Sequence, residues 1–117
     1  MKYTCLVYFE EKIWEEMSES TAHNLSEESM RYDQELQSSG HYIAAEALES
    51  VRAATTVRMR NGKLSITDGP FAETKEQLAG FYLIDAKDLN EAIQVAGDIP
   101  AARVGCVEVR PVRQLNA

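Results

Sequence analysis

The chain has 117 residues, of which 44% are apolar and 26% charged, enough for one domain that buries a core without disulfides or a metal. Its net charge of -7 is lopsided: residues 1–50 carry 3 basic against 11 acidic side chains, and residues 51–117 carry 9 against 8. A phosphate backbone would be repelled by the first half and find no basic stripe in the second, which argues against nucleic-acid binding. No apolar run reaches the length of a membrane span.

Taken in chain order, Lys2 to Phe9 alternates two largely apolar faces, Tyr3/Cys5/Val7/Phe9 and Thr4/Leu6/Tyr8, which predicts a central strand covered on both sides. Glu10 and Glu11 follow with no small-residue cleavage site, so this is a first strand rather than a signal peptide, and a cytoplasmic address is expected. Ile13, Trp14 and Met17 suggest one helical turn. From Ser18 to Ser39, Ala22, Leu25, Ser29, Tyr32 and Leu36 fall on one helical stripe, with His23 opposite it. Ser26 offers a second N-cap, but one long helix is favoured, ended by Gly40.

His41 to Leu48 is a weakly specified second strand. Ala54–Arg60 and Lys63–Thr67, joined by Asn61-Gly62, form a type I′ hairpin, because both turn residues must take positive φ. Gly80–Asp85 is a further strand. Asp88 then caps a helix with Glu91 reaching back, Leu89, Ala92, Ile93 and Ala96 as its buried face and Gly97 as its stop. Val104–Pro111 closes the chain as a last strand.

This order predicts a single α+β domain over residues 1–117, a ferredoxin-like sandwich elaborated by the hairpin. Its helices can cover only one sheet face. The strands set Thr56, Arg58 and Arg60 against Val57 and Met59, Glu108 and Arg110 against Val107 and Val109, and Tyr82 and Ile84 against Phe81 and Leu83. The second face is too apolar to stay wet and too charged to be a dry core. A second copy packed sheet to sheet, with a polar cavity between, satisfies both demands, so a homodimer is expected. The alternative is that the arginines sit at strand ends and reach water.

The stretch "TTVRMRNGKLSITDGPFAETKEQLAGFYLIDAKDLNEAI", followed by "IPAARVGCVEVRPV", closely resembles the DGPF-type branch of the YCII-related family, and the likeness runs from "MKYTCLVYFEEKIW" onward. It implies a ferredoxin-like subunit that forms a dimeric α/β barrel, in a branch without a settled activity. Shorter relatives are suspected enzymes because of a His in the first helix and an Asp in the cleft. Matching Gly40 to the glycine that ends that helix puts the His position near Ser29, so this pair is missing here. The resemblance also brings an association with extracytoplasmic-function sigma factors.

Within "TDGPFAETKEQLAGFY", Asp68-Gly69 turns the chain and Pro70 stiffens it, a good platform for a site. Asp68 and Glu73 are candidate acid/base groups, and Lys75 is a candidate anion partner. Phe71 and Tyr82 are candidate cavity walls, while Arg58 and Arg110 suit a carboxylate. This points to a small anionic or oxygenated organic molecule in the dimer cavity, with cofactor-free proton transfer and no metal. The same residues admit a structural reading, in which Asp68 serves its own turn, Glu73 pairs with Lys75 and Phe71 anchors a partner. A third reading is a protein-binding module whose acidic first helix meets a sigma factor. Cys5 and Cys106 form no metal-binding pattern and are expected as reduced, half-buried strand residues; their alternation puts them on opposite faces, against a redox pair.

Overall fold

The computed structural model describes residues 1–115; the last two residues of the domain expected over 1–117 lie outside the described residues. β1 (Lys2–Phe9), β2 (Tyr42–Ala47), β5 (Gln77–Asp85) and β6 (Gly105–Pro111) form a four-stranded antiparallel sheet in the order β2-β5-β1-β6. Two crossovers run through α2 (Glu19–Ser39) and α3 (Leu89–Gly97), an α+β arrangement consistent with the ferredoxin-like expectation. β3 (Thr55–Arg60) and β4 (Lys63–Asp68) are the hairpin. They form a separate two-stranded sheet and, among the described residues, pair with no strand of the main one.

Local chemistry sets the boundaries. Ser18 Oγ accepts from Thr21 N at 3.1 Å and starts α2, leaving Ser26 inside the helix. Gly40, at φ 82°, takes the left-handed cap that ends it. The hairpin turn puts Asn61 at φ 51° and Gly62 at φ 74°, the positive pair a type I′ turn requires. Asp88 caps α3 by accepting from Glu91 N at 2.9 Å. The short helix α1 (Glu11–Glu16) stands apart from α2, and its Trp14 stacks on Phe9 with ring centroids 6.1 Å apart.

The core lies between the sheet and α2/α3. Tyr3, Cys5 and Val7 of β1 and Tyr82 and Ile84 of β5 meet Leu36, Ala92, Val95, Ala96 and Ile99. Tyr32 Oη donates to Val95 O at 2.6 Å and ties the two helices together. Three expectations need correction. Leu89 and Ile93 are 49% and 51% exposed, because α3 turns Ala92, Val95 and Ala96 inward and leaves them on its rim. β5 begins at Gln77 rather than Gly80, since Phe9 and Tyr8 of β1 pair with Gln77 and Leu78. Cys5 is fully buried and Cys106 exposed, where both were expected half-buried.

Candidate functional site

The DGPF segment leaves β4 at Asp68 and returns to the sheet at Gln77. Gly69, at φ 108°, makes the turn that an L side chain resists. Its N–H donates to Ala54 O at 2.8 Å, and its carbonyl accepts from Thr56 Oγ1 at 2.8 Å, so the turn is held at both ends of the peptide. The loop then folds over a turn of 3₁₀ helix at Val51–Ala53. Between them lies an open recess of about 250 Å³. Gly69, Pro70, Ala72, Glu73 and Thr74 form one wall, and Val51, Arg52 and Gln77 the other.

A carboxylate distant in sequence fixes the floor. Glu11 Oε1 accepts from Val51 N at 2.7 Å, and Oε2 accepts from Ser50 Oγ at 2.9 Å. The Glu11 N–H donates to Gln77 Oε1 at 3.1 Å. One acidic residue at the start of α1 thus locks both the 3₁₀ turn and the first residue of β5. Arg52 Nη2 donates to Glu15 Oε1 at 2.9 Å, which aims the guanidinium along α1. Glu11, Arg52 and Gln77 carry no sequence motif; only the tertiary fold brings them to the loop.

The expected site residues divide into separate places. Glu73 lines the recess. Phe71 and Arg58 meet beside it, the guanidinium carbon 5.1 Å from the ring centroid. Asp68 and Lys75 are exposed, and neither lines the recess. Asp68 ends the β3–β4 ladder opposite Thr55. Arg110 lies on β6 opposite Thr4 of β1, toward the sheet end away from Phe9 and Gln77, and contacts Glu108. The separation along β1 is ~17 Å at the usual rise per residue, so Arg110 and the loop do not converge within one chain. Arg58 stands on the free hairpin rather than on the main sheet, which corrects the expected pairing of the two arginines on one face.

Tyr82 is also misplaced in the sequence-based picture. It is 9% exposed, in the core with Leu36 of α2, its ring tilted against Tyr32 at 6.5 Å. Burial, and then the Asp33 carboxylate beside it, pushes its phenol well above the usual range. Asp33 Oδ1 is buried with no hydrogen-bond partner among the described residues. Burial likewise pushes the Cys5 thiol up to about 11.

A second polar cluster joins the end of α2 to α3. His41 Nδ1 meets Ser39 Oγ at 2.7 Å and His41 Nε2 meets Glu91 Oε1 at 2.9 Å. Glu91 also accepts from Lys87 N at 3.3 Å, and the His41 hydrogen bond leads the contacts that lower its carboxyl below the usual value. Among the described residues no group of His, Cys, Asp and Glu side chains is arranged to hold a metal, and no helix is long and apolar enough to cross a membrane.

With this geometry in place, comparison with known proteins decides the family: a model of the YCII-related domain matches residues 1–116. The chain belongs to the YCII-related family. It is also similar to an uncharacterized protein of Rhizobium meliloti (strain 1021), 36% identical over 114 residues, covering 96% of this chain and 92% of that one. The Glu11–Val51 latch and the recess above it are thus features of a YCII-related chain.

Proposed function

We propose that this chain is a homodimeric binding protein for a small anionic or oxygenated organic molecule, held in the recess beneath the DGPF loop. The observation that carries the reading is the recess itself. A loop stiffened by Pro70 and fixed at Gly69 borders an open recess of about 250 Å³ over a floor latched by Glu11. Arg52, Glu73, Thr74 and Gln77 supply polar groups there, and Pro70, Ala72 and Val51 apolar ones, the mixture expected of a small-molecule site. Cofactor-free proton transfer by Glu73 is the chemistry we assign to it. Asp68 acts at the turn, and Lys75 is free to meet an anionic group at the mouth.

The dimer is supported by the uncovered sheet face. Strand register sets Leu83, Phe81, Leu6 and Tyr8 in the centre of that face, with Glu46 on edge strand β2 and Glu108 and Arg110 on edge strand β6. An apolar centre inside a charged rim is the anatomy of a protein interface. Two such faces stacked give the dimeric barrel and bring each subunit's Arg110 to the cavity between them.

Ligand-detected NMR with a panel of small carboxylates and hydroxy acids tests the reading. Hits on the native protein that disappear in both Glu73→Gln and Arg52→Ala, with folding retained, are the expected result. An empty panel, or hits indifferent to both substitutions, contradicts it. A second reading draws on the acidic, solvent-facing side of α2 (Glu19, Glu27 and Glu35 are exposed), which would suit a basic protein such as a sigma factor. Salt-sensitive capture of such a factor by an empty dimer would favour it.

A further inference from the structure

The β3–β4 hairpin is the part of the chain that the reading above leaves unused. Register puts Val57 opposite Ile66 and Met59 opposite Leu64 on one face. All four residues are exposed, between 59% and 63% of their surface, and among the described residues no other element packs along either strand to more than a slight extent. A two-stranded ribbon alone in water is marginal. A ribbon with four bare aliphatic side chains on one face has every physical reason to be covered.

We propose that this hairpin is an arm that lays its Val57/Met59/Leu64/Ile66 face on a second copy of the chain. The inference rests on the homodimer proposed above and specifies what seals it. Three observations select a second copy as the occupant. The first is shape: the extents are 47 × 46 × 19 Å and the radius of gyration is 16.1 Å, against about 13 Å for a compact chain of this length. The molecule is a slab one sheet and one helix layer thick, with the arm lying in its plane. The second is area: the slab spans 47 × 46 Å across its broad side, which leaves room for the roughly 800 Å² per partner of a stable interface. The third is charge. The arm carries Arg58, Arg60 and Lys63 on the face opposite the patch, in a chain of net charge -7, and the sheet face that would receive the arm has exposed Glu46 on one edge and the paired Glu108 and Arg110 on the other. The patch meets the half-buried apolar centre of the partner sheet, while the long side chains of Arg60 and Lys63 at the tip reach round the ribbon to the edge carboxylate of Glu46.

The arm also bears on the site. Arg58 lies over Phe71 from the face opposite the patch, so docking the arm fixes Phe71 and the loop beside the recess. Each copy would then set the mouth of its own recess by gripping the other.

A photo-crosslinking residue at Met59, in the full chain, tests this. Mixed samples of isotopically light and heavy protein distinguish crosslinks between chains from crosslinks within one. Crosslinks between chains are expected, and crosslinks within one chain, or none, overturn the arm. Sedimentation of the native protein keeps the two proposals apart: a monomer removes the dimer and the arm together, whereas a dimer whose Met59 probe stays within its own chain removes the arm alone. As a second readout, the double variant Val57→Ser/Ile66→Ser should dimerise about 100-fold more weakly, with the main-sheet circular dichroism unchanged. Unchanged dimerisation overturns the proposal.

Discussion

The guanidinium of Arg58 stands 5.1 Å over the ring of Phe71, and together with the Thr56 Oγ1 to Gly69 O hydrogen bond this contact ties the free hairpin to the DGPF loop. Phe71 is otherwise 75% exposed, so the pair is worth about 0.5–1 kcal/mol. Phe71→Ala should therefore barely change Tm. It should raise amide exchange across residues 71–74, which lie beyond the Gly69 hydrogen bonds to Ala54 and Thr56. Exchange unaltered in that segment would show that Gly69 and Thr56 hold it alone.

Glu11 presents a sharper case. Its carboxylate holds Val51 N at 2.7 Å and Ser50 Oγ at 2.9 Å. Replacing it with Ala strands a backbone donor and should cost about 2 kcal/mol. The 3₁₀ turn that floors the recess should loosen with it. Glu11→Gln keeps one acceptor oxygen and should recover about half the loss. The check is thermal melting of both variants, paired with ligand-detected NMR; equal melting of the two would mean that the charge, not the geometry, matters.

The His41–Glu91 contact has a pH signature of known sign. Contacts in the fold lower the Glu91 carboxyl, the His41 hydrogen bond foremost. A carboxyl lowered by folding contributes stability above its unfolded value of about 4.3, and that contribution is lost as pH falls through the lower folded value. Glu91→Gln should flatten this part of the Tm profile below the unfolded carboxyl value of about 4.3 and leave the contribution of the other carboxylates as it was. An unchanged acid limb would mean that the contact is not kept in solution.

The two thiols should behave differently. Cys106 is exposed on the uncovered face, at the register position of Tyr8, while Cys5 is fully buried with its thiol pushed up to about 11. Under native conditions, a thiol reagent should modify Cys106 and spare Cys5. Because Cys106 lies on the face assigned to the dimer, its labelling should slow as protein concentration rises. A rate independent of concentration would count against that face.

Glycine positions provide a fifth test. At Gly105 a Cβ would overlap Tyr8 O and crowd Phe9 Cβ at 2.7 Å, so Gly105→Ala should pry β6 from β1 and cost several kcal/mol, of order 3. At Gly97, the last residue of α3, nothing lies within 4 Å, and Ala should stabilise by about 0.5 kcal/mol. Chemical denaturation of the pair distinguishes them.

The legible part of this fold was that written in local chemistry. Gly40, Asn61-Gly62 and Asp88 act through their own backbone neighbours, and these three end, turn or start the elements where the sequence placed them, while Ser18 caps a helix whose start the sequence left open between it and Ser26. The failures share another cause. Alternation along a strand says that Tyr82 and Phe81 face opposite ways, but not which side the helices take; the phenol was assigned to a cavity and lies in the core. The hairpin was taken as part of the sheet because its pattern is that of any strand pair, and pattern carries no information on whether an edge is joined. At the candidate site, Glu73 and the stiff Gly69-Pro70 turn were visible from composition. Glu11, Arg52 and Gln77 were not, because their partners are set by chain crossings that no local spacing encodes.

The most direct measurement is native mass spectrometry of the protein purified with no added ligand, set against a denatured control. The account predicts a dimer that carries a discrete extra mass, absent after denaturation and lost in Glu73→Gln. A monomer, or a dimer of bare polypeptide mass in both proteins, would contradict it.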